Sequence, residues 1–303
     1  MDFYLPIAEI SVNLFLVLGL GTSVGVLSGM FGVGGGFILT PLLFMIGIPA
    51  PIAVGTQGTL IVASSFSAVL SHLKRKTIDY PMGVLLLVGG LAGSTIGVQV
   101  FKILTALGQV DLLINLCYVF LLGIIGGLML KESVSAYLRR RANTYVPARR
   151  KKHTWVHGMP FRLRFRASQM YVSAIPPLVI GIAIGVLSAI MGVGGGFLMI
   201  PAMIYVLGMP TKVVVGTSLF QITLMSSYTT LMQATQNKTV DFVLGFILLI
   251  GGVIGAQIGT RIAVKLNADT LRILLALLVV GISLKLALDL VITPSEFFSL
   301  YAK

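Results

Sequence analysis

The chemistry this chain can do is concentrated in one six-residue stretch that occurs twice. GVGGGF stands at 32–37 and again, letter for letter, at 192–197. A glycine inside a helix costs about 1 kcal/mol against alanine, so a run of three costs about 3 kcal/mol. Gly34, Gly35 and Gly36 form one run, and Gly194, Gly195 and Gly196 form the other. Each run, opened by Gly32 or Gly192, follows one apolar segment and begins another, with Pro41 or Pro201 a turn and a half further on. The pattern predicts a break, then a short helix whose first turn has free N–H groups. Those groups and the helix dipole favour an anion. A purely structural break is the competing reading.

Two further stretches supply uncharged hydrogen-bonding groups. GTQGT at 55–59 and GTSLFQ at 216–221 hold Gly55, Thr56 and Gln57, and Gly216, Thr217, Ser218 and Gln221. Their hydroxyl and amide groups can hold an anion, although Ser and Thr in apolar helices also bond their own backbone. Arg261 stands where the first half has Gln99, as an anion ligand or an interface anchor. Lys285 and Asp289, four apart, could form an ion pair or charge relay, or reach outward to water. The glycine stretches are not a dinucleotide fingerprint, because Phe37 and Phe197 replace the last glycine. No G-K-[ST] occurs, so there is no P-loop and no built-in ATPase.

These residues sit in a chain of 303, of which 56% are apolar and 10% charged, with a mean hydropathy of +1.01. Soluble domains carry about 25% charged residues. The chain therefore reads as an integral membrane protein. Its net charge of +13 does not indicate nucleic acid, because half of its 22 basic residues lie between Lys131 and Arg166 and most others in short loops. Basic loops between apolar spans report topology. Cys117 is the only cysteine, which excludes a disulfide framework and a multi-cysteine metal site. Asp2 and Glu9 precede the first apolar run without a basic region, so that run reads as a true span.

A membrane helix needs about 20 mainly apolar residues. Candidate segments are 7–29, 33–48, 52–72, 80–101 and 110–130, then 174–190, 193–208, 213–235, 240–260 and 270–292. Segments 33–48 and 193–208 are short, so the count is eight to ten. With the N-terminus outside and ten crossings, all basic residues except Lys102, Lys238, Lys285 and Lys303 fall inside. Both termini are then outside. The chain divides into a first repeat (1–132), a basic cytoplasmic linker (133–172) and a second repeat (173–303). Within the linker, FRLRFR at 161–166 alternates apolar and basic, which suits anionic headgroups or a loose loop. His153 and His157 flank Trp155 there, and His72 sits at the inner edge.

The duplication extends well beyond the glycines. Residues 25–41 align with 185–201 at 11 of 17 identical positions. GIPAPIAVGT (47–56) answers GMPTKVVVGT (208–217), and KTID (76–79) answers KTVD (238–241). Gly89, Gly93 and Gly97 answer Gly251, Gly255 and Gly259; like Gly21, Gly25 and Gly29, they suit close helix packing. Equivalent loops swap charge: KRK before KTID becomes QNK, while Lys102 is answered by Arg261, Lys265 and Arg272. That swap predicts repeats of inverted topology, a mark of secondary transporters.

The duplicated GVGGGF…P, with GIP…VGT and GMP…VGT, resembles the TauE/SafE family of sulfite and organosulfonate exporters, also called the toluene sulfonate uptake permeases. The resemblance covers roughly 10–130 and 174–292. It implies an all-α polytopic membrane protein of two repeats that carries a small sulfur-containing anion or a carboxylate, without a cofactor. Carried over by position, the motifs mark Gly32, Gly34, Gly35, Gly36 and Pro41, and Gly192, Gly194, Gly195, Gly196 and Pro201, with Gly55, Thr56, Gly216, Thr217 and Ser218. Gln57 stands where the second half has Ser218. The expected protein is a multi-pass transporter of a bacterial inner membrane, with proton or sodium as a coupling ion. An anion channel lined by the same breaks is the alternative. An intramembrane enzyme ranks below both, because no Ser/His, Cys/His or H-E-x-x-H constellation is present.

Overall fold

A computed structural model describes residues 2–31, 34–74, 76–141, 162–165, 167–265 and 268–291. Gly32 and most of the basic linker, with His153, Trp155 and His157, lie outside the described residues.

The chain begins with an antiparallel hairpin, β1 (Asp2–Leu5) against β2 (Ile10–Asn13), where a span was expected from residue 7. The helix starts later because Asn13 caps it. Its Oδ1 accepts the N–H of Phe15 at 3.0 Å and of Leu16 at 3.4 Å. The hairpin faces the protein with Leu5, Ala8 and Val12, all buried. A second hairpin, β3 (Arg162–Phe165) against β4 (Met170–Ser173), opens the second half in the same way. Its helix follows Ser173, whose Oγ accepts the N–H of Ile175, with prolines in the first turn. Arg162–Phe165 is thus a strand docked on the protein through Phe165, which is fully buried.

The remaining elements are helices: α1 (Leu14–Phe31), α2 (Gly36–Met45), α3 (Ala50–Lys74), α4 (Tyr80–Ala106), α5 (Val110–Arg141), α6 (Ile175–Met191), α7 (Gly196–Pro201), α8 (Thr211–Met232), α9 (Phe242–Lys265) and α10 (Ala268–Val291). Two π-helical pieces, Ala202–Val206 and Gln233–Asn237, extend α7 and α8. Among the described residues, Ala50–Lys74, Tyr80–Ala106, Val110–Lys131 and Phe242–Gly259 are long and apolar enough to cross a bilayer unaided. This is an all-α polytopic membrane protein with two small hairpins. At 1.5 Å per residue, α2 and the run Gly196–Val206 are each about half a bilayer long.

Equivalent elements of the two halves exchange partners. α1 packs on α9, and its counterpart α6 packs on α4; α3 packs on α8, and α5 on α10. The spaced glycines make the first two contacts possible. A methyl at Gly25 would collide with the Gly252 carbonyl oxygen, and one at Gly185 with that of Gly90. Backbones this close admit only hydrogen at these positions.

The π-helical pieces explain two slips in the repeat. Pro41 and Pro201 are 160 residues apart, Gly47 and Gly208 are 161 apart, and Asp79 and Asp241 are 162 apart. The first added residue falls between Pro201 and Gly208, where Ala202–Val206 is π-helical. The second falls between Thr217 and Asp241, where Gln233–Asn237 is π-helical. A π-turn is how a helix absorbs one inserted residue without losing register beyond it.

Candidate functional site

Both glycine stretches are breaks. α1 ends at Phe31, and α2 begins at Gly36 after Gly34 (φ 86°) and Gly35 (φ 71°). α6 ends at Met191 and is closed by Gly192 (φ 74°). α7 then begins after Gly194 (φ 70°) and Gly195 (φ 76°). Left-handed backbone costs an L side chain about 1–2 kcal/mol, which is why glycine stands at these positions. Gly36 is required for another reason. A methyl there would meet Ile61 of α3 and stand 3.0 Å from the Val193 carbonyl oxygen, so the two breaks touch. One residue on, Phe37 stacks on Phe197 with ring centroids 4.4 Å apart and planes 17° from parallel. The first turns of the two short helices meet face to face.

A broken helix leaves carbonyls without partners. At the end of α6 these are met by side chains from elsewhere. Met191 O accepts from Tyr118 Oη of α5 at 2.9 Å and from Gln57 Nε2 of α3 at 3.4 Å. Ala189 O accepts from Gln233 Nε2 of α8 at 3.2 Å. Gln57, expected beside an anion, thus supports the second break through its amide N–H, while its Oε1 is buried without a partner.

Thr56 and Thr217 are also committed. Thr56 Oγ1 accepts the N–H of Asp241 at 2.9 Å, and Thr217 Oγ1 accepts that of Asp79 at 3.0 Å. Gly55 and Gly216 allow the approach, since a methyl at either would stand under 3 Å from Thr239 or Thr77. Each VGT motif therefore grips the KTID or KTVD motif of the other repeat. The two aspartates, noticed in the sequence only as repeat markers, do more. Asp79 Oδ1 accepts the N–H of Met82 at 3.4 Å. Its Oδ2 accepts from Ser168 twice, from N–H at 2.9 Å and from Oγ at 2.6 Å. Asp241 Oδ1 accepts from Val243 and Leu244 N–H at 3.0 and 3.1 Å, and its Oδ2 accepts from Ile7 N–H at 3.0 Å. Each buried carboxylate caps its own helix and ties down the hairpin of the opposite repeat. Several N–H donors at a helix N-terminus replace the lost water. An Asp just before a helical run was the signal available in the sequence.

Among the described residues, four buried groups near the breaks have no partner: Gln57 Oε1, Ser65 Oγ, Gln221 Oε1 and Ser226 Oγ. Ser65 and Ser226 occupy equivalent positions on α3 and α8. A methyl at Gly34 would stand 3.7 Å from Ser65 Oγ, and one at Gly194 would stand 3.2 Å from Ser226 Oγ. Each hydroxyl thus faces its own repeat's break. Sequence reasoning passed over both. Gln221 Nε2 lies 3.0 Å from the Met225 sulfur, and Ser218 Oγ donates to Val215 O. A small cavity adjoins the second break, lined by Gly55, Gly58, Ile61, Gly192, Gly194 and a row of hydroxyl and amide residues. About 10 Å³ of it is open to the centre of a water molecule, which is room for one.

The charged candidates lie away from this centre. Arg261, Lys285 and Asp289 are exposed, and no ion pair joins Lys285 to Asp289. Gln99 donates to Gln236 Oε1 at 2.9 Å. Pro41 lies inside α2, and Pro201 ends α7 where the π-turn begins.

The family model described as sulfite exporter TauE/SafE matches residues 17–286. A "Probable membrane transporter protein" of Xylella fastidiosa is 27% identical over 259 residues, covering 85% of this chain and 87% of its own. "Probable membrane transporter protein YunE" of Bacillus subtilis is 26% identical over 286 residues, covering 91% and 97%. "Sulfite exporter TauE/SafE family protein 2" of Arabidopsis thaliana is 28% identical over 126 residues, covering 41% and 26%. No solved structure matches the chain. The family match takes in both breaks, both VGT motifs and both aspartates, and with it the chain belongs to the sulfite exporter TauE/SafE family of membrane transporters.

Proposed function

We propose that this protein is a secondary transporter moving a small oxyanion, sulfite or an organosulfonate, by alternating access across a bacterial inner membrane. The observation that carries the reading is the meeting of the two breaks. Two short helices start from glycine turns, and their first residues, Phe37 and Phe197, stack on each other. Two positive helix ends converging on one place suit one anion. In this reading the ligands are the N–H groups around Gly34, Gly35 and Gly36 and around Gly194, Gly195 and Gly196, with Ser65 and the amide of Gln221. Thr56 and Thr217 act one layer out, where their hydroxyls hold the aspartate backbones.

The exchanged partners of α1, α9, α4 and α6, together with the charge swap between equivalent loops, support repeats of inverted topology. Such repeats can trade roles to open alternately to either side. The stacked Phe37 and Phe197 correspond to a closed state, and the anion enters when the halves part. The basic linker would face anionic headgroups inside, with both termini outside. Proton or sodium supplies the drive, and neither nucleic acid nor a cofactor is involved.

Radiolabelled sulfite or sulfonate flux into proteoliposomes tests this reading. Flux above that of protein-free vesicles, saturable and without unitary currents in planar bilayers, supports it. Unitary currents would select an anion channel, and flux equal to that of empty vesicles across a panel of anions would end the transport reading.

A further inference from the structure

The cavity beside the second break is lined by Ser188 and Gly192 from the end of α6, Gly194 from the break, Ser226 and Thr229 from α8 and Gln233 from the π-turn after it, against an α3 wall that includes Val54 and Ile61. Its chemistry is opposite to that of an anion site. It sits at the C-terminal end of α6, where the dipole is negative; Ser188 O accepts from Gly192 N–H and Ala189 O from Gln233 Nε2, and each carbonyl keeps a second lone pair. Its walls supply hydroxyl oxygens. Ser226 Oγ is buried, without a partner, and faces Gly194. Thr229 Oγ1 donates its proton to Met225 O at 2.9 Å, which leaves its lone pairs available to the cavity.

The wall on the α8 side is shaped by the second π-turn, which begins at Gln233. π-Turns concentrate at functional sites because they free backbone oxygen and redirect side chains. The first repeat offers no equivalent. The counterparts of Thr229, Thr230 and Gln233 are Ala68, Val69 and His72. The site is therefore single, unlike the paired breaks.

The geometry points to a sodium ion bound in this cavity by Ser226, Thr229 and the remaining lone pairs of the Ser188 and Ala189 carbonyls, as the coupling ion. Hard cations take oxygen ligands. The lining residues include no carboxylate, so the site suits one positive charge. Its size, room for one water molecule, fits a small ion and not an oxyanion. In transporters with broken helices, half-helix C-terminal ends and unwound carbonyls are where a coupling cation is held. A cation here would also offset the charge of an anion held at the neighbouring helix N-termini. The role as coupling ion rests on the transport reading above; binding does not.

Thermal unfolding of the full-length protein in detergent, without substrate, tests the site in sodium, potassium and choline chloride at equal ionic strength. Sodium should raise the midpoint saturably by about 2–4 °C over choline, the shift that about 1 kcal/mol of binding gives a chain of this size. Ser226→Ala and Thr229→Val should flatten that response. Ser283→Ala, which removes a buried hydroxyl on α10, should keep it. If Ser226→Ala does not fold, Thr229→Val carries the test. Equal midpoints in sodium, potassium and choline, or a full sodium response in both cavity variants, overturns the site. Anion flux with no sodium response leaves the transporter without this site, and a sodium response without flux leaves the site without the transporter.

Discussion

Phe37 lies against Phe197 with ring centroids 4.4 Å apart, and each ring belongs to the residue after the last glycine of its own break. The two breaks are thereby fixed to each other through the first side chain either can offer. Phe197→Ala should cost about 3–5 kcal/mol, the usual loss when a buried aromatic becomes alanine. Phe197→Leu should cost less. Thermal unfolding in detergent reads the difference, and transport should fall further in the alanine variant.

The glycines of the breaks differ from those of the helix faces. Gly195→Ala forces an L residue to φ 76°, which should cost about 1–2 kcal/mol and reduce flux. Gly19→Ala, on α1 with nothing within 4 Å of the added methyl, should be neutral or stabilising by up to about 1 kcal/mol. Equal effects of the two changes would mean that the left-handed turns are not strained by a side chain.

Thr56 and Thr217 separate structure from binding. Each hydroxyl accepts a buried backbone N–H, so Thr56→Val or Thr217→Val should destabilise by about 1–3 kcal/mol. The KM for the transported anion should stay unchanged in whatever protein remains folded. A raised KM at constant stability would return these threonines to the ligand set.

At Met191 two donors share one carbonyl. Tyr118→Phe or Gln57→Leu alone leaves the other donor in place and should cost about 0.5–1.5 kcal/mol. The double variant leaves the carbonyl bare and should cost more than the sum of the two. A double-mutant cycle on unfolding midpoints measures that excess.

The aspartates join helix starts to hairpins. Asp79→Asn places an N–H₂ where an oxygen now accepts from Ser168 or Met82, and should cost about 1.5–3 kcal/mol for the charged hydrogen bonds lost. Ser168→Ala removes only the hydroxyl donor and should cost less. Protease cleavage within the second hairpin should speed up in both variants, more in Asp79→Asn.

The breaks were legible in the sequence because three consecutive glycines in an apolar run have few other uses. The spaced glycines at 25 and 29, and at 93 and 97, were legible because their period is that of a helix face. The hairpins were not. Their strands are four residues long, their sharp turns use Glu9 and Gln169 in place of glycine, and the two hairpins share almost no letters. Only Asn13 separates the first from the apolar run of α1, so hydropathy merged them. The grip of Thr56 on Asp241 spans 185 residues, and no local pattern announces it. Ser65 and Ser226 were lost among many serines, since only burial without a partner sets them apart.

The reciprocal bonds have a consequence for ancestry. A single half-length chain carrying one VGT, one KTID, one hairpin and one glycine break could not form the threonine–aspartate and hairpin–carboxylate bonds within itself. Two copies of it could form all of them, with the threonine of each on the aspartate backbone of the other and the hairpin of each on the other's carboxylate. Gene fusion would then have added no bond. It would have freed the second copy to gain two residues and a row of hydroxyls that its twin never needed.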